Sequence, residues 1–200
     1  MQTEFNTISG PTEGFVKEKN SKFYSYAFPV KDKEQIKIEL NLLKEMYPDA
    51  NHHCYAYILG VDGKEERAND DGEPSSSAGK PILRQILSRG VTQTLVVVVR
   101  YFGGKKLGVP GLIHAYGDAA KEALQKASTV TKQLKVTYQL SCAYGEENQI
   151  YRIVKRLNLS IKPLHGTQQF ECEVTLPLIQ EEEFTSAFKD LHKIEFQILD

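Results

Sequence analysis

The stretch QTLVVVVRYF at residues 93–102 constrains this chain more than any other. Residues 95–99 are uninterrupted aliphatics, four of them valine, and such a run favours extended backbone. A half-buried strand alternates apolar and polar residues, whereas a continuous apolar run has to be covered on both faces. The chain therefore needs packed layers on either side of this strand. That requirement excludes a simple helical bundle.

The elements around it supply those layers. SKFYSYAFPV (21–30) alternates and is aromatic-rich, so it reads as a strand, and HHCYAYILG (52–60) reads as a second. Between them KDKEQIKIELNLLKEMY (31–47) places Ile36, Leu40, Leu43 and Tyr47 at helical spacing, with Pro48 as the stop. Residues 61–77 are polar and too long for a tight hairpin, so they read as a loop of the kind that carries function. KPILRQILSRG (80–90) is a short helix ended by Gly90. GGKKLGVPG (103–111) reads as a glycine-rich basic loop, LIHAYGDAAKEALQKA (112–127) as a helix and STVTKQ (128–133) as a linker.

Beyond the linker the pattern changes. A strand at 135–142, a helix at 146–158, a strand pair at 159–166 and 168–177, a helix at 178–192 and a strand at 193–200 give the order βαββαβ. That order is ferredoxin-like. The expected architecture is α+β in two domains, residues 1–132 and 133–200.

Composition narrows the function. The net charge is −1, with 18 basic against 16 acidic residues through Lys132 (+2) and 7 against 10 thereafter (−3). Neither half has the basic excess of a protein that coats nucleic acid, so any RNA contact has to come from a local patch. No apolar run approaches the ~20 residues that span a bilayer, and no secretory signal opens the chain. Three cysteines without framework spacing predict free thiols, a reducing compartment and a cytoplasmic location.

Two stretches carry chemistry. In NDDGEPSSSAGKPIL (69–83), Asp70, Asp71 and Glu73 are the candidates for a metal site or acid–base catalysis. Lys80 beside a helix start offers an anion site, although three carboxylates would repel a phosphate unless a cation intervened. The same residues also suit a turn, with Ser75, Ser76 and Ser77 as helix N-caps and Pro81 in the first turn. In RYFGGKKLGVPGLIHAYG (100–117), Arg100, Lys105 and Lys106 are cationic and Tyr101 and Phe102 can stack on bases. Gly103, Gly104 and Gly108 permit close backbone approach. Charge and rings together are what single-stranded RNA contact requires. Alternatively, the aromatics continue the buried strand and the lysines are solvated. No Walker loop and no nucleophile elbow is present. In HHC (52–54) only His52 and Cys54 share a strand face, too few for a closed zinc site, so no metal and no cofactor is expected.

HHCYAY, NDDGEPSSSAGKPIL and VVVVRYFGGKKLGVPGLIHAYGDAA stand in the order and spacing of the YigZ/IMPACT family, which the chain resembles over residues 14–126. The resemblance implies an N-terminal domain like the second domain of ribosomal protein S5. It also implies a ferredoxin-like C-terminal domain, the pair being similar to domains four and five of elongation factor G. Eukaryotic relatives regulate translation initiation through a partner of a stress kinase, but they carry a different additional domain, so that activity does not transfer to this chain. For bacterial members the resemblance implies a cytosolic protein associated with RNA, the ribosome or a translation partner, without established chemistry. The alternative is an enzyme acting on a phosphorylated or nucleotide-like substrate through the DDGEP loop. The chain departs from the family pattern at three places. Ser76 and Ser77 replace Gly-Thr, Pro110 replaces glycine, and His114 replaces arginine, which removes a permanent cation.

Overall fold

The computed structural model describes residues 2–164 and 168–199. The backbone separates into two compact units, Gln2–Lys132 and the residues from Gln133 onward. Together they make a mixed α+β protein built on antiparallel sheets. Among the described residues no helix is long and apolar enough to cross a membrane.

In the N-terminal unit the valine run is β6 (Thr94–Tyr101), the middle strand of a five-stranded sheet. On one side it pairs with β3 (Ser21–Pro29), followed by β2 (Thr12–Glu18). On the other it pairs with β4 (His52–Leu59), followed by β5 (Glu65–Asn69). All four pairings are antiparallel. Val96 and Val98 face α2 (Gly79–Arg89) and α3 (Gly108–Lys126), in a core with Phe23, Ile82, Ile86 and Tyr116. Leu95, Val97 and Val99 face α1 (Lys33–Met46), packed with Ile36 and Leu43. Both faces of β6 are therefore covered, which is why the run shows no alternation.

Three local expectations differ from the structure. Residues 61–77 are not all loop, because β5 (EERAN) pairs with β4. It is a charged edge strand without apolar alternation, so its sequence does not announce a strand. Residues 128–133 are not a linker, because β7 (Thr129–Gln133) pairs with β1 (Glu4–Ile8) in a two-stranded ribbon. The Ser9 amide and the Ser128 carbonyl (2.9 Å) close that ribbon, a partnership more than a hundred residues apart in the chain. Third, α3 starts at Gly108 rather than at 112, so Pro110 lies in the first turn, where its missing N–H breaks no intrahelical bond.

In the C-terminal unit β8 (Lys135–Cys142), β9 (Ser160–Leu164), β10 (Phe170–Pro177) and β11 (Ile194–Leu199) form an antiparallel sheet of order β11-β8-β10-β9. Val136, Tyr138, Leu140 and Cys142 alternate inward beneath α4 (Glu147–Arg156) and α5 (Glu181–Phe188) in a single core, so both helices cover one face. The helix expected over 178–192 is shorter, a 3₁₀ turn at Leu178–Gln180 preceding α5. His165 and Gly166, at the end of one expected strand, and Asp200 lie outside the described residues. Cys54, Cys142 and Cys172 are buried free thiols, and Cys172 pairs in register with Leu140 rather than with Cys142.

The start of α2 corrects a further expectation. No serine caps it: the residue before the helix is Ala78, and the Ser77 hydroxyl donates instead to the Pro74 carbonyl at 2.6 Å. The Asp70 carboxylate takes the capping role from eight residues upstream, accepting the Ala78 and Gly79 amides at 3.0 and 2.8 Å. Gly79 is required there, since a Cβ would lie 2.5 Å from the Asn69 backbone nitrogen. Ser76 sits at φ +64°, a left-handed conformation that disfavours a residue with a Cβ. Ser76→Gly should therefore stabilise the protein by roughly 0.5–1 kcal/mol, the relief of strain exceeding the added chain entropy of glycine. A urea denaturation midpoint that falls instead would contradict this.

Candidate functional site

The site forms where β4 and β6 run side by side, because their register sets His52 opposite Arg100. Arg100 is only 5% exposed. Its Nη1 donates to Glu73 Oε1 at 2.5 Å, a buried ion pair with both side chains almost wholly covered. The Tyr116 hydroxyl of α3 donates to the same Glu73 oxygen at 2.7 Å, and the Cys54 thiol reaches that hydroxyl at 3.3 Å. The guanidinium lies between two rings, 5.5 Å from the Phe23 centroid and 5.6 Å from that of Phe102. One carboxylate thus ties together a strand, a loop and a helix.

The two aspartates hold the loop that carries Glu73. Besides capping α2, Asp70 accepts the Ser76 amide on Oδ2 at 2.8 Å. Burial pushes its carboxyl upward, but the Ser76, Gly79 and Ala78 amides together outweigh that and hold it below the ordinary carboxylate value. Asp71 accepts the His53 amide at 2.6 Å, and its carbonyl receives Nδ1–H of His52 at 2.7 Å. These contacts fasten the loop to β4. Burial raises the Cys54 thiol far above its usual value and does the same to the Tyr116 phenol, so both stay protonated. A thiol in that state is a poor nucleophile. Among the described residues no group of three or more metal-ligating side chains converges.

Beside this network lies a cleft of about 490 Å³, within the size range of ligand sites. Its floor includes Arg100, Glu73 and His52, and its walls are Phe102, Lys106, Leu107, Val109 and Leu112. Phe102 is 46% exposed and Val109 47%, so two apolar side chains stand open at its mouth. Asn51 fixes the entry by accepting the Phe102 amide at 2.8 Å. Gly103 lets the following loop press onto the β2–β3 turn, where a Cβ would lie 2.1 Å from the Asn20 carbonyl carbon.

The structure divides the residues that the sequence grouped together. Arg100, Phe102, Lys106 and Glu73 meet at the cleft, whereas Asp70, Asp71, Lys80, Gly103, Gly104, Lys105 and His114 do not line it. Lys80, Lys105 and His114 are exposed. Tyr101 points to the opposite face of β6 and packs against Tyr24 and Tyr47, since successive strand side chains alternate. Leu107 and Leu112 fell within the family motif without a site role, and Asn51 and Val109 were missed. They are ordinary residue types, and only the pairing of β4 with β6 and the early start of α3 bring them together.

By fold this is a mixed α+β protein of two compact antiparallel units. The model of the Impact N-terminal domain matches residues 19–124, more than half of the chain. The IMPACT family member YvyE of Bacillus subtilis (strain 168) is 31% identical over 95% of this chain and 86% of its own length. The IMPACT family member YigZ of Escherichia coli (strain K12) is 32% identical over 90% of each. A solved structure described as that of a hypothetical protein superimposes with a TM-score of 0.75 at 28% identity, covering 100% of this chain and 99% of its own. The chain belongs to the IMPACT family.

Two predictions test what the acidic loop does. Glu73→Ala strands a buried guanidinium and should cost about 3–5 kcal/mol in urea denaturation; a loss below 1 kcal/mol would show that the pair does not hold the fold. Asp70 has a folded pKa below its unfolded one, so its stabilisation is complete above the unfolded value of about 4 and is lost as pH falls through the folded pKa. Asp70→Ala should therefore lower stability by about 1–2 kcal/mol at pH 7. The gap to the native protein should close on acidification below pH 4; a gap that stays constant with pH would refute the assignment.

Proposed function

We propose that this is a non-catalytic, cytoplasmic protein that binds RNA within the translation apparatus, seating an unpaired base in the cleft beside Arg100. The observation that supports the reading most is the Phe102 ring. It is half exposed at the mouth of a ligand-sized cleft, with the Arg100 guanidinium beside it and Lys106 on the same wall. An exposed ring gives any base a stacking surface, and a nearby ammonium takes its phosphate. The α3 N-terminus opens onto this cleft at Gly108 with no acidic residue in its first turn, which favours an anion there.

The family supports the translational setting, since the resemblance that this chain carries implies regulators of translation. As part of the same proposal, the N-terminal unit is the relative of the second domain of ribosomal protein S5. The C-terminal unit, with its ferredoxin-like strand order, makes the pair comparable to domains four and five of elongation factor G. An enzyme working through the DDGEP loop would need a carboxylate free to react. Asp70 is bound by three backbone amides, and Glu73 is shared by Arg100 and Tyr116. That geometry favours binding over catalysis.

The experiment is a titration of the full chain with a short single-stranded RNA over a range of salt concentrations. Lys106→Ala should weaken binding and flatten the slope of log affinity against log salt by roughly 0.7. Phe102→Ala should lose ~1–3 kcal/mol of affinity with the slope unchanged, because stacking releases no counterions. If both variants bind as the native protein does, the cleft is not the RNA site.

A further inference from the structure

We propose that the aromatic cleft on the α1 side of the same strand end is a second base-binding subsite, so that one RNA strand crosses Phe102 with bases seated on both sides. This rests on the reading of the first cleft given above. The second cleft holds about 330 Å³ and is lined by Asn20, Lys22, Tyr24, Tyr47, Tyr101 and Phe102. Phe102 lines both clefts, so the two adjoin at that ring.

The register builds this cleft from residues far apart in the chain. Lys22 of β3 lies directly opposite Tyr101 of β6, so their side chains share the face toward α1, as does Tyr24 two residues on. Tyr47, at the end of α1, stacks on Tyr24 with centroids 5.6 Å apart at 20°. Tyr101 meets both edge-on, at 6.1 and 6.4 Å. The Tyr47 hydroxyl is held by that of Tyr26. The rings are therefore fixed before any ligand arrives, and a base stacking on them immobilises little side-chain freedom.

The chemistry of the lining selects the ligand. Three phenol rings and a phenylalanine offer stacking area, the exposed Lys22 ammonium offers a phosphate contact, and the Asn20 amide offers a donor and an acceptor for a base edge. None of the six lining residues is acidic, although Asp49 acts electrostatically on the Tyr101 hydroxyl. A flat aromatic group followed by an anion, repeated along a chain, fits both clefts at once, and single-stranded RNA has that pattern.

The test uses the full chain and a labelled pentauridylate. Lys22→Ala should weaken binding several-fold and flatten the salt slope by roughly 0.7. Tyr47→Leu should weaken it by roughly 5- to 150-fold with the slope unchanged. Because Tyr47 also supports its neighbours, a second readout needs no variant. Pentauridylate carrying 5-iodouridine, irradiated on the native protein, should leave nucleotide adducts on Phe102 and on at least one of Tyr24, Tyr47 and Tyr101. Adducts confined to Phe102, or Phe102→Ala weakening binding while Lys22→Ala keeps native affinity and slope, overturn the second subsite and leave the first cleft standing. If the native protein does not bind pentauridylate, both fall.

Discussion

The ion pair between Arg100 and Glu73 is the interaction on which the N-terminal unit depends. Taking two charges out of water costs several kcal/mol for each, and that cost is recovered only where geometry and further hydrogen bonds are good. Here Glu73 receives both Arg100 and Tyr116, while the guanidinium lies between the Phe23 and Phe102 rings. A buried pair of this kind contributes little net stability compared with apolar residues of the same shape. Its consequence is positional. Arg100 can satisfy its charge only if the loop bearing Glu73 stands in one place, and that place forms the floor of the cleft.

The rest of the acidic motif follows from this demand. A loop that has to deliver a carboxylate into the interior needs its own backbone groups satisfied. Asp70 takes three amides, including two at the start of α2, and Asp71 fastens the loop to β4 through the His53 amide. Gly79 permits the helix start to touch the Asn69 backbone. Residue types that look like an acid–base constellation in a linear reading thus act as a clamp. The exposed surface left for a ligand is apolar and cationic instead: Phe102, Val109 and Lys106.

The C-terminal unit contrasts with it. Its outward sheet face carries Gln139, Ser141, Glu171, Glu195 and Gln197, with Lys162 already paired to Glu173 at 2.8 Å. Among the residues lining the groove there only Phe196 carries a ring, and it packs against the core; a surface dominated by carboxylates and amides is ill suited to a phosphate backbone. This matches the net charges of the two halves, +2 against −3.

Wherever a segment's own pattern sufficed, it was legible in the sequence. The valine run had to be a strand covered on both faces, Pro48 and Gly90 had to end helices, and the order βαββαβ was readable beyond residue 133. The family motifs marked the stretches at the cleft, with Phe102 and Lys106 among them. Only the tertiary structure decided what pairs with what. The β1–β7 ribbon joins segments more than a hundred residues apart, the Asp70 cap reaches eight residues past three plausible serines, and the register sets His52 beside Arg100 and Lys22 beside Tyr101. Local preference depends on a few neighbouring dihedrals and can be read in sequence order. The fate of a charge or a ring depends on which strand lies opposite, and a one-residue change of register would send it to the other face.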